Sequence, residues 1–188
     1  SSRFGTEFDS LADTISFCAV PSVLVYSTYV DGLPNLLKVI ISFIPLLFGT
    51  IRLAKFNIIS NDNPKPYFIG LTTPLSAITI ISFMLFNFQL YEDMGDPRLA
   101  IFLIIILSFL EISPVRFSKF PLLSLKKGRS NNLRLFGIFI SLLTLLLFKG
   151  LVLFPLMAIY ISWSIIQWML NHDRLSDDNQ LKSGKSRD

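Results

Sequence analysis

Gly5, Asp9 and Asp13 recur at intervals of four near the start of the chain. On a helix four residues advance about 400° and rise about 6 Å, so the three positions fall in one stripe with two carboxylates on successive turns. Two acids so placed repel unless a cation lies between them or one is protonated. An all-oxygen pair of this kind suits a hard divalent ion, Mg²⁺ or Mn²⁺. Acids in a first helical turn also favour the positive end of the helix dipole, which accounts for Glu7 and Asp9 with no ligand at all. It accounts poorly for Asp13, because the uncharged run 14–30 follows at once and an unpaired charge at membrane depth is costly. Gly5 either leaves a gap through which a phosphorylated ligand approaches the backbone or packs closely against a neighbouring helix.

The elements that must hold these residues are membrane helices. The chain has 188 residues, 52% hydrophobic and only 16% charged, with a mean hydropathy of +0.58; soluble domains are about one quarter charged. Residues 68–90 and 151–170 carry no charge, and about 20 apolar residues cross a hydrocarbon core of about 30 Å. Backbone groups in lipid must be satisfied internally, and no block shows the alternation of a barrel strand. The expected fold is an all-α polytopic transmembrane bundle with six spans, at about 6–30, 33–51, 68–90, 99–115, 132–148 and 151–170. Residues 1–170 form one membrane domain, and the polar stretch 171–188 is expected to be a disordered tail. One cysteine, Cys18, and one histidine, His172, leave no intramolecular disulfide and almost nothing for zinc or triad chemistry.

Charge orients the bundle. Setting Arg3, Arg52, Lys55, Lys65, Arg116, Lys119, Lys126, Lys127, Arg129, Arg134, Arg174, Lys182, Lys185 and Arg187 on one face collects 14 of the 17 basic residues, leaving Lys38, Arg98 and Lys149. The positive-inside rule then puts the start of the chain, with Asp9 and Asp13, on the cytoplasmic face. Lys126, Lys127 and Arg129 are suited to anionic lipid headgroups, so membrane lipid is the expected partner and nucleic acid is not.

A second patch is Arg52, Lys55 and Asn57. It serves either as positive-inside anchoring at a helix end or as a grip on an anionic substrate group, for which the planar Arg52 guanidinium is suited. Arg116 and Lys119 are candidates of the same kind. Glu111, an acid inside a span, is expected to face a polar cavity near the cytoplasmic end rather than to snorkel outward.

Gly5-x3-Asp9-x3-Asp13 resembles the closing half of the CDP-alcohol phosphatidyltransferase signature, D-x2-D-G-x2-A-R-x8-G-x3-D-x3-D. Its opening half would precede Ser1, so the chain reads as a piece lacking the N-terminal part of the motif. Ser2-Arg-Phe-Gly-Thr-Glu-Phe-Asp-Ser-Leu-Ala-Asp13 is similar to the form found in the serine-using branch of that family. Arg52-Leu-Ala-Lys-Phe-Asn57 resembles the branch's R-L-A-R-F-N, with Lys55 where Arg is commoner. Phe68-Ile-Gly-Leu-Thr-Thr-Pro74 resembles F-x-G-L-P-S-P, departing at Thr72, and the run 118–126 resembles the family's basic loop.

The resemblance sets the six spans in register with the last six of eight. It implies attack by an alcohol hydroxyl on the phosphorus of CDP-diacylglycerol that carries the lipid, with L-serine as the acceptor and CMP leaving. It implies a divalent metal, Mg²⁺ or Mn²⁺, held by Asp9 and Asp13. Asp13 would also be the catalytic base, and Gly5, Arg52, Lys55, Asn57, Arg116 and Lys119 would contact substrate. A homodimer is compatible with it. Two alternatives stay open: an acceptor such as glycerol 3-phosphate or inositol phosphate, which would want a denser basic cluster, and a cation-coupled transporter, which would want paired broken helices in related halves.

Overall fold

The computed structural model describes residues 3–59, 67–118 and 151–184. The expected span at 132–148, Lys119 with the rest of the basic loop, and the connection 60–66 lie outside the described residues.

Helix α1 (Arg3–Thr14) passes through a π turn (Ile15–Ala19) into α2 (Val20–Thr28), making one continuous rod. Pro21 explains the π turn. Its ring would strike the carbonyl four residues back in a regular helix, and an extra residue in the preceding turn relieves the clash. Then come α3 (Asn35–Ile59), β1 (Tyr67–Ile69), α4 (Thr73–Tyr91), α5 (Pro97–Ile112), β2 (Arg116–Ser118) and α6 (Leu153–Gly184). Among the described residues four helical segments, Phe8–Thr28, Asn35–Ile58, Thr73–Tyr91 and Leu153–Leu170, are long and apolar enough to cross a membrane. Helix α5 has 16 residues, a length of about 24 Å.

Several expected boundaries move. Residues 68–72 are not helical: Gly70 has φ +76° and Pro74 takes the first turn of α4, so the chain enters that helix from an extended segment. That segment pairs antiparallel with β2, Phe68 opposite Phe117, so among the described residues a small two-stranded sheet stands beside the helices. Helix α3 runs beyond 51 to Ile59, which puts Arg52, Lys55 and Asn57 on its last turns. Helix α5 opens at Pro97, capped by the Asp96 side chain accepting from the Arg98 N–H at 2.8 Å, and ends at Ile112. The last helix continues to Gly184, so 171–184 is helical rather than irregular; its one proline, Pro155, lies in the first turn, and no glycine precedes Gly184.

The connections 29–34 and 92–96 meet at one end of the bundle, where the Tyr29 hydroxyl donates to the Met94 carbonyl at 2.7 Å. Lys38 and Asp31 pair at 2.9 Å near the same end. The β1–β2 pair and the start of the chain lie at the other. Hydrophobic driving force between helices is weak in lipid, so small residues and close contact do the packing. Ser76, Ala77, Ala100 and Ser108 are buried at the interfaces, whereas Leu36, Val39, Phe102, Phe109 and Trp163 point outward. Within α3, Pro45 disturbs the ladder and the Leu46 N–H donates instead to the Ser22 hydroxyl at 2.9 Å, tying α3 to α2.

Gly49 marks a tight crossing of α3 with the π turn. A Cβ there would stand 2.5 Å from Cys18 Sγ, 3.2 Å from Cys18 Cβ and 3.4 Å from Thr73 Cγ2. Gly49→Ala should therefore destabilise the protein by about 1–2 kcal/mol, and adding Cys18→Ala should recover most of it by removing the opposing sulfur. The check is a thermal melt in detergent of both single variants and the pair. Additive losses would show that Cys18 is not what Gly49 makes room for.

Candidate active site

Helix α1 presents Gly5, Asp9 and Asp13 as the spacing predicts. Gly5 and Asp9 are exposed and Asp13 is half-buried. The two carboxylates, one turn apart with only oxygen donors, fit part of the ligand set of a hard divalent cation. Among the described residues no group of three or more His, Cys, Asp or Glu gathers at one point, so these two acids alone do not close such a site.

Helix α3 brings Arg52 to the same region. It is only 7% exposed, its guanidinium lies 5.2 Å over the Phe56 ring, and its Nε has no hydrogen-bond partner. The charges of Asp13 and Glu111 both act on it. Glu111, 4% exposed on α5, has the Ser76 hydroxyl of α4 beside its carboxylate and leaves Oε2 unpartnered. Thr73, fully buried at the start of α4, has an unpartnered Oγ1. Cys18 lies within electrostatic reach of Asp13, Arg52 and Glu111 together. Four helical rods thus converge on one small polar region inside an otherwise apolar bundle.

Why these side chains converge is a matter of local structure. The π turn carries Cys18 and begins two residues after Asp13, which brings the buried thiol near the charged group. Gly49 lets α3 approach that turn. Gly70 lets the 67–71 segment pass over the last turn of α5, with its N–H donating to the Val115 carbonyl at 2.8 Å and that of Leu71 to the Leu110 carbonyl at 3.0 Å. The edge-on contact of Phe48 with Phe109, 5.3 Å between ring centres, joins α3 to α5.

The other candidates fare differently. Asn57 donates its amide to the Ser10 hydroxyl at 2.9 Å, so it fastens the end of α3 to α1 between the turns that carry Asp9 and Asp13. Lys55 is exposed on the last turns of α3. Arg116 is exposed on β2, with its guanidinium 4.8 Å over the Tyr67 ring on the paired strand. Lys119 lies outside the described residues. Glu111 faces the interior, as its position inside a span predicts, but its company, Ser76, Thr73 and Arg52, is not visible from spacing. The one signal that could have led to it is the rule that an acid within an apolar helix seeks a polar interior.

Residues 1–170 match the family model described as CDP-alcohol phosphatidyltransferase. The chain is 33% identical over 171 residues to a CDP-diacylglycerol–serine O-phosphatidyltransferase of Helicobacter pylori, covering 90% of this chain and 69% of the relative. It is 34% identical over 116 residues to an archaetidylserine synthase of Methanothermobacter thermautotrophicus, covering 62% and 46% of the two chains. A CDP-diacylglycerol–serine O-phosphatidyltransferase of Methanocaldococcus jannaschii is 32% identical over 121 residues, covering 64% and 52%.

Proposed function

The chain belongs to the CDP-alcohol phosphatidyltransferase family, and from that premise we propose that it transfers the phosphatidyl group of CDP-diacylglycerol to the hydroxyl of L-serine, yielding phosphatidylserine and CMP. The observation that carries the reading is half-buried Asp13, one turn beyond Asp9 on α1, within electrostatic reach of Arg52 buried on α3.

The reaction needs a hydroxyl made nucleophilic, a phosphorus held in line and a stabilised leaving group. The serine oxygen forms a bond to the phosphorus bearing diacylglycerol. The bond from that phosphorus to the bridging pyrophosphate oxygen breaks, and CMP departs with the bridging oxygen. The Asp13 carboxylate takes the hydroxyl proton. Asp9 and Asp13 would hold Mg²⁺ or Mn²⁺, which when bound supplies positive charge at the pyrophosphate. Arg52 orients the anionic group of the acceptor, for which a buried guanidinium is far stronger than an exposed one.

Acceptors carrying a phosphate, glycerol 3-phosphate or inositol phosphate, fit the cluster less well. It combines one cation, Arg52, with two acids, Asp13 and Glu111, and a dianion meets repulsion there that a zwitterion does not. The site faces the cytoplasm on the charge pattern: Arg52, Lys55 and Arg116 stand at its end of the bundle, while Asp31, Glu92, Asp93 and Asp96 stand at the other.

The test is CMP release by the full-length protein in vesicles containing CDP-diacylglycerol. Release should require both serine and a divalent cation. Comparable turnover with glycerol 3-phosphate in place of serine would overturn the acceptor assignment, and indifference to the divalent cation would overturn the role of Asp9 and Asp13.

A further inference from the structure

Glu111 is the deepest charged group described in the bundle, and burial of a carboxylate is costly unless its oxygens are satisfied. Glu111 Oε2 has no hydrogen-bond partner, nor has Arg52 Nε, although both are closed off within the same polar region. The two charges influence one another, yet no ion pair within 4.0 Å joins them; among the described residues Lys38 and Asp31 make the salt bridge. A pair whose purpose was structural would close that distance, since mutual attraction is what offsets desolvation. Held apart, with one donor and one acceptor unspent, the two groups suit a ligand that brings both an anion and a cation.

Serine is such a ligand. We propose that Glu111 accepts the serine ammonium while Arg52 takes its carboxylate and Asp13 its hydroxyl, so that the three side chains read the acceptor as a zwitterionic hydroxy amino acid. The inference rests on the serine activity proposed above and extends it to a residue on α5. Selectivity follows from chemistry: an acceptor lacking the ammonium leaves a buried carboxylate unpaired, and buried polar groups left unpaired discriminate strongly.

The experiment compares two constants on one protein: KM for L-serine, and Ki for 3-hydroxypropionate, which keeps the hydroxyl and carboxylate but lacks the ammonium. In Glu111→Gln, of equal size, KM for serine should rise about tenfold to a hundredfold, the worth of a charged hydrogen bond. Ki for 3-hydroxypropionate and KM for CDP-diacylglycerol should change by less than about threefold on the same reasoning. Equal rises in KM and Ki would show that Glu111 merely positions Arg52 and would overturn the proposal. So would an unchanged KM with a reduced kcat. If Glu111→Gln does not fold, the same two constants in Glu111→Asp, which keeps the charge on a shorter stem, decide in the same way. A wild-type protein that releases no CMP with serine would overturn the activity itself and this subsite with it. Activity on serine with an unaltered ratio of KM to Ki overturns the subsite alone.

Discussion

Asp13→Asn is expected to lower CMP release from CDP-diacylglycerol and serine by about a thousandfold, the usual range for removing a positioned general base. The amide matches the carboxylate in shape but cannot accept the hydroxyl proton, and it is a poorer ligand for a hard cation. Asp13 sits where both losses count. It is half-buried on α1 immediately before the π turn, and its charge acts on Arg52. The helix itself should survive, because Asn and Asp have similar helix propensities and Glu111 remains as a counter-charge for Arg52. An unchanged melting temperature beside the lost activity separates catalysis from folding. A variant retaining more than about one tenth of the wild-type rate would remove Asp13 from the role of base.

Gly70→Ala should be the most damaging conservative change in the fold, costing about 3 kcal/mol or more, because left-handed strain and overpacking act together there. Gly70 has φ +76°, a conformation side-chain-bearing residues rarely adopt. A Cβ there would overlap the carbonyl oxygen of Glu111 and stand 3.3 Å from that of Leu110. These are backbone atoms in the last turn of α5, so no rotamer change relieves the clash. The hydrogen bonds from Gly70 and Leu71 to Val115 and Leu110 hold the segment against that turn, and any shift would carry the Glu111 side chain with it. Thermal melting should show the loss, and the surviving folded fraction should bind serine more weakly. Wild-type melting would mean that the 67–71 segment does not need its close seat on α5.

Much of the candidate site was legible in the chain because helical geometry is local. Gly5, Asp9 and Asp13 share a stripe whatever surrounds them, and a helix does form there. Residue resemblance pointed to Arg52, and burial agrees with a role inside the bundle. Resemblance also singled out Asn57, but a motif does not distinguish a residue that touches substrate from one that fastens two helices. The bond from Asn57 to Ser10 is of the second sort. Arg116 shows the same limit, since its stacking on Tyr67 depends on a strand pairing between segments about fifty residues apart.

By itself the sequence determined the membrane class, the helical character of the spans and the double-aspartate stripe, because hydropathy and the 3.6-residue period are properties of neighbouring residues. Only the tertiary structure decided that Glu111, Ser76 and Thr73 from α4 and α5 are buried in the same polar region as Arg52, within electrostatic reach of Asp13. It likewise decided that Gly49 and Gly70 are the places where backbones come close enough to allow it. Convergence of that kind depends on helix crossings, which follow from the packing of small residues between helices rather than from periodicity along any one of them. The two aspartates with which the chain opens were therefore foreseeable as a pair, and their buried partners were not.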